Sequence, residues 1–148
     1  MRRLVTLALV VLASTPVPIA AAASSARLRS ALLSRINTAR TAHGLRPLVD
    51  RRSLARVAGR QTAYLARIRF LTHDSPDGSP AASRIRASFN AGLIGETIAF
   101  GSSARWIVNA WLHSPAHRAI LLDPGFRWIG IGALSRHGTI WATADLGS

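Results

Sequence analysis

Apolar residues recur every three to four positions along two segments in the first half of the chain, which is the spacing of one face of a helix. The first segment runs from Ala26 to Ala42, with arginines between the apolar positions, and the second runs from Asp50 to Ile68. The apolar positions are Leu28, Leu32, Leu33, Ile36 and Ala39, then Leu54, Val57, Ala58, Tyr64, Leu65 and Ile68. Gly44 predicts the end of the first helix, and Asp50 is predicted to cap the second.

Two Ser-Pro pairs in the middle of the chain predict the starts of short helices, since serine caps a helix and proline fits its first turn. These pairs are Ser79-Pro80 and Ser114-Pro115. Between them a strand is predicted through 98–100, and Ser102 or Ser103 is predicted to cap a further helix. This region is therefore expected to alternate short helices with a single strand.

The C-terminal segment has a different pattern, because β-branched and aromatic residues replace the helical spacing. Two such runs, Trp128 to Leu134 and Thr139 to Leu146, are separated by 135–138 and predict a hairpin. Both runs are apolar at consecutive positions, which is typical of strands that are buried on both faces. We predict an α+β fold with this hairpin in the middle of a small antiparallel sheet and with helices on both sides.

The N-terminus carries the three parts of a secretory signal peptide. Met1-Arg2-Arg3 is positively charged, 4–13 is apolar or small, and Ala21-Ala22-Ala23 is a cleavage site of small residues. The apolar run is too short for a bilayer span, which needs about 20 residues. We predict that residues 1–23 are removed and that residues 24–148 form a single secreted, monomeric domain without a membrane span.

Composition narrows the kinds of site and partner. The chain has no cysteine, which excludes disulfides, a thiol nucleophile and an acylated lipoprotein anchor. Removal of the two signal arginines lowers the formal charge from +13 to +11. A basic domain attracts anionic partners, and outside a cell these are envelope polymers or lipid headgroups rather than nucleic acid. Because the arginines are spread along the chain, we expect a dispersed basic surface.

Several motifs, in the same order, resemble the CAP superfamily, which takes in cysteine-rich secretory proteins, insect venom antigens, plant pathogenesis-related proteins and a bacterial SCP-like extracellular branch. The resemblance covers nearly the whole chain after the predicted signal and implies a three-layer α-β-α sandwich. The matching residues are Asn37-Thr38-Ala39-Arg40, Gly44-Leu45-Arg46-Pro47-Leu48, His73-Asp74-Ser75-Pro76-Asp77-Gly78, Gly95-Glu96-Thr97-Ile98-Ala99, Trp111-Leu112-His113-Ser114-Pro115-Ala116-His117-Arg118 and Ile129-Gly130-Ile131-Gly132.

The resemblance implies that His73, Glu96 and His117 line one cleft. Two imidazoles and a carboxylate suit zinc or another divalent cation, and without a metal they suit a water or a polar ligand. Thr97 stands where the family usually has asparagine. Ser114 stands where many eukaryotic members have a second acidic residue. Serine is common at this position in the bacterial branch. The missing carboxylate predicts modest metal affinity.

Binding, catalysis and a structural role in the cell envelope, held there by positive charge, remain open alternatives at this stage. We interpret the chain as a non-catalytic binding domain that acts at or outside the cell envelope on a small molecule, lipid or envelope polymer. The alternative is a metal-assisted or His/Glu-dependent hydrolase of the peptidase type, in which Glu96 and His117 are the expected catalytic residues. Ser114, His117 and Asp123 have the residue types of a serine hydrolase, but no nucleophile elbow or oxyanion-hole signature accompanies them. Ser114 is better explained as a helix cap.

Overall fold

Residues 19–148 are described by a computed structural model, with side chains from Ala21 onward. The predicted signal peptide lies largely outside these residues, and the predicted cleavage point after Ala23 falls inside the first helix. The elements in chain order are α1 (Ile19–Ala42), β1 (Val49–Asp50), α2 (Arg52–Ile68), α3 (Ala81–Arg86), β2 (Ile94–Gly101), α4 (Ala104–His113), α5 (Pro115–Leu121), β3 (Trp128–Arg136) and β4 (Thr139–Gly147).

The four strands form one sheet in the order β1-β3-β4-β2, so the predicted hairpin of β3 and β4 lies in its centre. The β3–β4 and β4–β2 pairs are antiparallel, as predicted. The prediction of a wholly antiparallel sheet is wrong for β1, which pairs with β3 in parallel over two residues. The short segment before α2 enters beside β3 in the same direction, and Arg51 N donates to Ile129 O at 2.7 Å.

Helices cover both faces of the sheet and confirm the α-β-α sandwich. On one face, α1, α4 and α5 pack on apolar residues of all three long strands, including Ile129, Ile131 and Ala144. On the other face, α2 and α3 pack through Leu54, Val57, Ile85 and Leu65 in two smaller clusters. The strands are therefore buried on both sides, which explains their continuous apolar sequence.

The ends of several helices test the cap predictions. Ser103 caps α4 as predicted, because its hydroxyl accepts from Trp106 N at 3.1 Å. Gly44 follows α1 at a φ of 71°, which suits a glycine after a helix. The prediction of Asp50 as a cap is wrong, since Asp50 belongs to β1 and Arg51 precedes α2 without a side-chain cap bond. Ser79 is likewise not the cap of α3, because Pro80 holds that position.

The hairpin turn is tighter than the predicted 135–138 segment. Both strands extend until only His137 and Gly138 separate them. These two residues have φ values of 50° and 77°, and a two-residue hairpin turn of this kind requires positive φ at both positions.

Among the described helices, none is long and apolar enough to cross a bilayer.

Candidate functional site

The centre of the candidate site is a buried carboxylate on β2, next to the loop that follows α2. Glu96 is 6% exposed, and its Oε1 lies 2.6 Å from His73 Nδ1. The histidine side chain is about half exposed, at 54%, whereas the carboxylate is enclosed. The structure therefore brings together two of the three residues that the sequence predicted for the cleft.

Arg84 completes this cluster, and sequence analysis did not identify it. It lies on α3, and its Nη2 forms an ion pair with Glu96 Oε2. Its Nη1 donates to the backbone oxygen of His73 at 2.7 Å. One guanidinium therefore holds both the carboxylate and the loop that carries the histidine. A planar donor fork of this kind fixes its acceptors in orientation as well as in charge.

The site shifts the proton affinity of its two histidines in opposite directions. The hydrogen bond to Glu96 raises the pKa of His73, and partial burial and the charge of Arg84 oppose this rise. Burial lowers the pKa of His117, and a positive charge on His73 lowers it further. The two imidazoles are therefore electrostatically coupled, and His117 is the one that stays neutral as the pH falls.

Asp145 lies under the cluster, and sequence analysis did not identify it either. It is the register partner of Glu96 on the neighbouring strand β4 and is 0% exposed. Neither of its carboxyl oxygens has a hydrogen-bond partner within the described residues. Burial raises its pKa well above the usual value, and the charge of Glu96 adds to this while Arg84 opposes it. An acidic residue in an otherwise apolar strand was the available sequence signal.

His117 faces a different environment on α5. Its Nδ1 lies 3.0 Å from Ser114 Oγ, so the Ser114 hydroxyl contacts the imidazole although Ser114 occupies the cap position of the helix. His117 also lines an apolar pocket of about 310 Å³ between β2 and α4. The other lining residues are Leu71, Ile98, Ala99, Phe100, Trp106, Ala110, Trp111 and Ser114.

The apolar pocket and the polar cluster are neighbours along two segments of the chain. Leu71 lies two residues before His73, and Ile98 lies two residues after Glu96 on the same strand. Phe100 and Trp106 at the pocket are 48% and 51% exposed, which leaves large aromatic surfaces open to solvent. Trp111 is buried, and its Nε1 donates to Ile98 O at 3.1 Å.

A serine-hydrolase triad of Ser114, His117 and Asp123 is not formed. Asp123 does not approach the Ser114–His117 pair as a third member of a triad, since its Oδ1 accepts from Gly125 N at 2.7 Å. Within residues 19–148, no three His, Asp or Glu side chains are grouped as a metal site. His73 and Glu96 are in direct contact, whereas His117 lines the neighbouring pocket and is influenced by the charge of His73.

Comparison with known proteins identifies the family. Residues 33–142 match the family model described as CAP, the cysteine-rich secretory protein family. The chain belongs to this family. Its membership is independent of the cysteines in the family's name, since this CAP domain has none.

Three similar proteins from bacteria differ in length, and two of them are much longer than this chain. Uncharacterized protein YkwD of Bacillus subtilis (strain 168) is 31% identical over 113 residues, which cover 75% of this chain and 44% of YkwD. An extracellular SCP-domain protein of Bacillus anthracis has a TM-score of 0.79 at 23% identity, over 90% of this chain and 45% of its own. An outer surface protein of Borrelia burgdorferi has a TM-score of 0.73 at 27% identity, over 80% of this chain and 90% of its own. The chain therefore spans less than half the length of YkwD.

Proposed function

We propose that this CAP domain is an extracellular, non-catalytic binding domain whose ligand occupies the apolar pocket and contacts the histidine cluster with a polar end. The observation that carries this proposal is the engagement of both Glu96 oxygens, one by His73 and the other by Arg84. Each oxygen accepts from one donor and the side chain is 3% exposed, so the carboxylate is held in a fixed, enclosed orientation, which favours a positioning role for it. The extracellular relatives and the predicted signal peptide support the location.

The pocket gives the proposed ligand its chemical class. Its walls are mainly apolar, and about 310 Å³ is at the small end of ligand pockets. His117 Nε2 is left for a ligand, because His117 Nδ1 is engaged by Ser114. We therefore propose a small amphipathic molecule with a hydroxyl or similar polar group and a short apolar body.

Octanol, with one hydroxyl and a short alkyl chain, is a suitable probe for this proposal. Trp106 is half exposed at the pocket, so binding should shift its fluorescence to shorter wavelength as water is displaced. Ala110→Phe fills the pocket without a change in charge and should abolish the shift. Ala116→Phe, on the exposed side of α5, is the matched control and should retain it.

Two results would overturn the proposal. An octanol response that is equal in Ala110→Phe and the wild type would show that the pocket is not the binding site. Hydrolysis of a peptide or ester by the wild type that is lost in His117→Ala would favour the catalytic alternative. The same octanol titration on His117→Ala separates the two cases, because a loss of affinity without any turnover supports binding alone.

A divalent cation is the second candidate ligand. The side chains present fit it with two histidines as direct ligands and without Glu96 as a third. Glu96 is occupied by Arg84, and a guanidinium beside a carboxylate disfavours a cation on the same oxygens. The nitrogens that would hold an ion such as zinc are therefore Nε2 of His73 and Nε2 of His117. Glu96 would orient His73 through the opposite ring nitrogen, as carboxylates do behind metal-bound histidines. When bound, the ion would supply Lewis acidity to a polar ligand group.

A further inference from the structure

A second concave site lies between α1 and α2, at the edge of the sheet formed by β1 and β3. It is a groove of about 820 Å³, larger than the apolar pocket beside His117. Ile131 of β3 lines it together with residues of both helices. The order of the strands places β2, which carries Glu96, at the other edge of the sheet. The groove is therefore separate from the histidine cluster.

The walls of this groove carry a row of positive charge. Arg52, Arg56 and Arg60 line it from α2, and Arg29 lines it from α1. The three α2 residues are spaced by four, so they lie on one face of the helix, about 6 Å apart. Both ion pairs found in residues 19–148 involve Glu96. The four guanidinium groups therefore have no carboxylate partner in the described chain, although Asp50 also lines the groove.

Small residues keep the space beside these arginines open. Ala55, Gly59 and Ala63 line the groove with the same four-residue period on α2. A Cβ atom added to Gly59 would meet nothing within 4 Å. A ligand can therefore approach the helix backbone here, between the arginine row and the sheet.

The unpaired edge of β3 bounds the groove at Ile131, which is 3% exposed. Among residues 19–148, β1 covers this edge only opposite Trp128 and Ile129. Arg51 N donates to Ile129 O on this side, and strand residues two apart face the same edge, so the backbone groups of Ile131 face it as well. Within the described part of the chain, no strand pairs with β3 beyond that point on this side. Because Ile131 is buried, this edge forms the floor of the groove, and the exposed arginines of α2 form its contact surface.

We propose that this groove binds an acidic peptide segment in extended conformation, with acidic side chains at alternate positions facing the arginines of α2. Alternate side chains of an extended chain are about 6.6 Å apart, which matches the arginine spacing of about 6 Å. The peptide would run along α2, over Gly59. Each carboxylate would gain a charge-assisted hydrogen bond from a guanidinium.

A labelled eight-residue peptide that alternates glutamate with threonine tests the proposal by fluorescence anisotropy on the purified protein. Arg52→Gln with Arg56→Gln should weaken its binding at least tenfold. Gly59→Leu should do the same without a change of charge, because the leucine fills the groove. Arg27→Gln with Arg35→Gln removes two exposed arginines of α1 that do not line the groove, and its affinity should stay within twofold of the wild type.

A peptide of the same composition, with its four glutamates in one block, tests whether spacing matters and should bind at least fivefold more weakly. Short-chain polyphosphate tests the other anionic class. Equal binding of the block peptide or tighter binding of polyphosphate would overturn the peptide assignment. Equal weakening in the Arg27/Arg35 control would show attraction to general positive charge rather than to the groove. A thermal melt of Gly59→Leu that matches the wild type makes its loss of binding a test of the groove itself.

Discussion

At the residue scale, Glu96 sets the properties of the site through its neighbours. Its hydrogen bond raises the pKa of His73. It also lies opposite Asp145, and burial raises the pKa of Asp145. Arg84 offsets the negative charge of this group. A buried carboxylate without such a partner would be costly to ionise. The hydrogen bond to Glu96 therefore raises the pKa of His73, whereas burial is the main cause of the lowered pKa of His117.

Zinc binding is expected to depend on pH through His73 first. A metal requires both imidazoles to be neutral, and the pKa of His73 is raised whereas that of His117 is lowered. Proton competition should therefore begin above the ordinary imidazole pKa of about 6.5. Calorimetric titration of Zn²⁺ into chelator-treated protein at pH 7.5, 6.5 and 5.5 should show affinity falling at each step.

Variants separate the roles of the three residues in this titration. His73→Ala and His117→Ala should each abolish zinc binding, and His137→Ala, on the exposed hairpin turn, should not change it. Glu96→Gln should weaken binding about 10- to 100-fold, the usual cost of losing an orienting partner, and should move the loss of affinity to lower pH. Zinc heat that persists in the double variant His73→Ala with His117→Ala would exclude the metal hypothesis.

At the element scale, the contact of α2 with β3 depends on two glycines of the Ile129-Gly130-Ile131-Gly132 motif. A Cβ at Gly130 would lie 2.0 Å from Ala55 N, and a Cβ at Gly132 would lie 2.3 Å from Ala58 O. These atoms belong to the helix backbone, which cannot move without shifting the whole helix. The motif therefore fixes how closely α2 approaches the sheet, and with it the start of the loop that carries His73.

Gly132→Ala should destabilise the protein by about 1–3 kcal/mol, because it overpacks the contact between helix and sheet. Gly59→Ala is the matched control on α2. Its Cβ meets nothing within 4 Å, and alanine in a helix interior is favoured over glycine by about 0.5–1 kcal/mol. Urea unfolding of the two variants should give free energies of unfolding on opposite sides of the wild-type value. A Gly132→Ala variant as stable as the wild type would contradict the close packing.

At the scale of the whole molecule, Arg40 joins α1 to the segment that leads into β3. It is 1% exposed, and its guanidinium donates to Leu121 O at 2.7 Å and to Asp123 O at 3.0 Å. It also donates to Arg46 O at 3.0 Å. Burial lowers its pKa, although Asp123 opposes this. One buried cation therefore satisfies carbonyl groups of two separate segments, the loop at Arg46 and the end of α5 with the residues after it.

Arg40→Met should destabilise the protein by about 3 kcal/mol or more, because methionine fills part of the space but leaves several buried carbonyls without a donor. Arg35→Met, on the exposed side of the same helix, should change the free energy of unfolding by no more than about 0.5 kcal/mol. Thermal and urea unfolding of both variants make the comparison. Similar losses in the two variants would show that helix α1, rather than the carbonyl contacts, is sensitive to substitution.

Local patterns in the sequence determined the elements and the family. The apolar spacing of α1 and α2, the serine before α4 and the β-branched runs of β3 and β4 each depend on near neighbours in the chain. For that reason they could be read without a structure. The family motifs also selected His73 and Glu96, which the structure brings into contact.

Only the tertiary structure decided which groups surround those residues. Arg84 reaches Glu96 from a helix 12 positions away, and Asp145 faces it because β2 and β4 pair in one particular register. Asp50 illustrates the same limit, since pairing with β3 took the residue that its local pattern assigned to a helix cap. Hydrogen bonds and burial between distant segments depend on packing, which no local pattern specifies. The parallel entry of β1, the charge network of Glu96 and the groove between α1 and α2 all arise at that level.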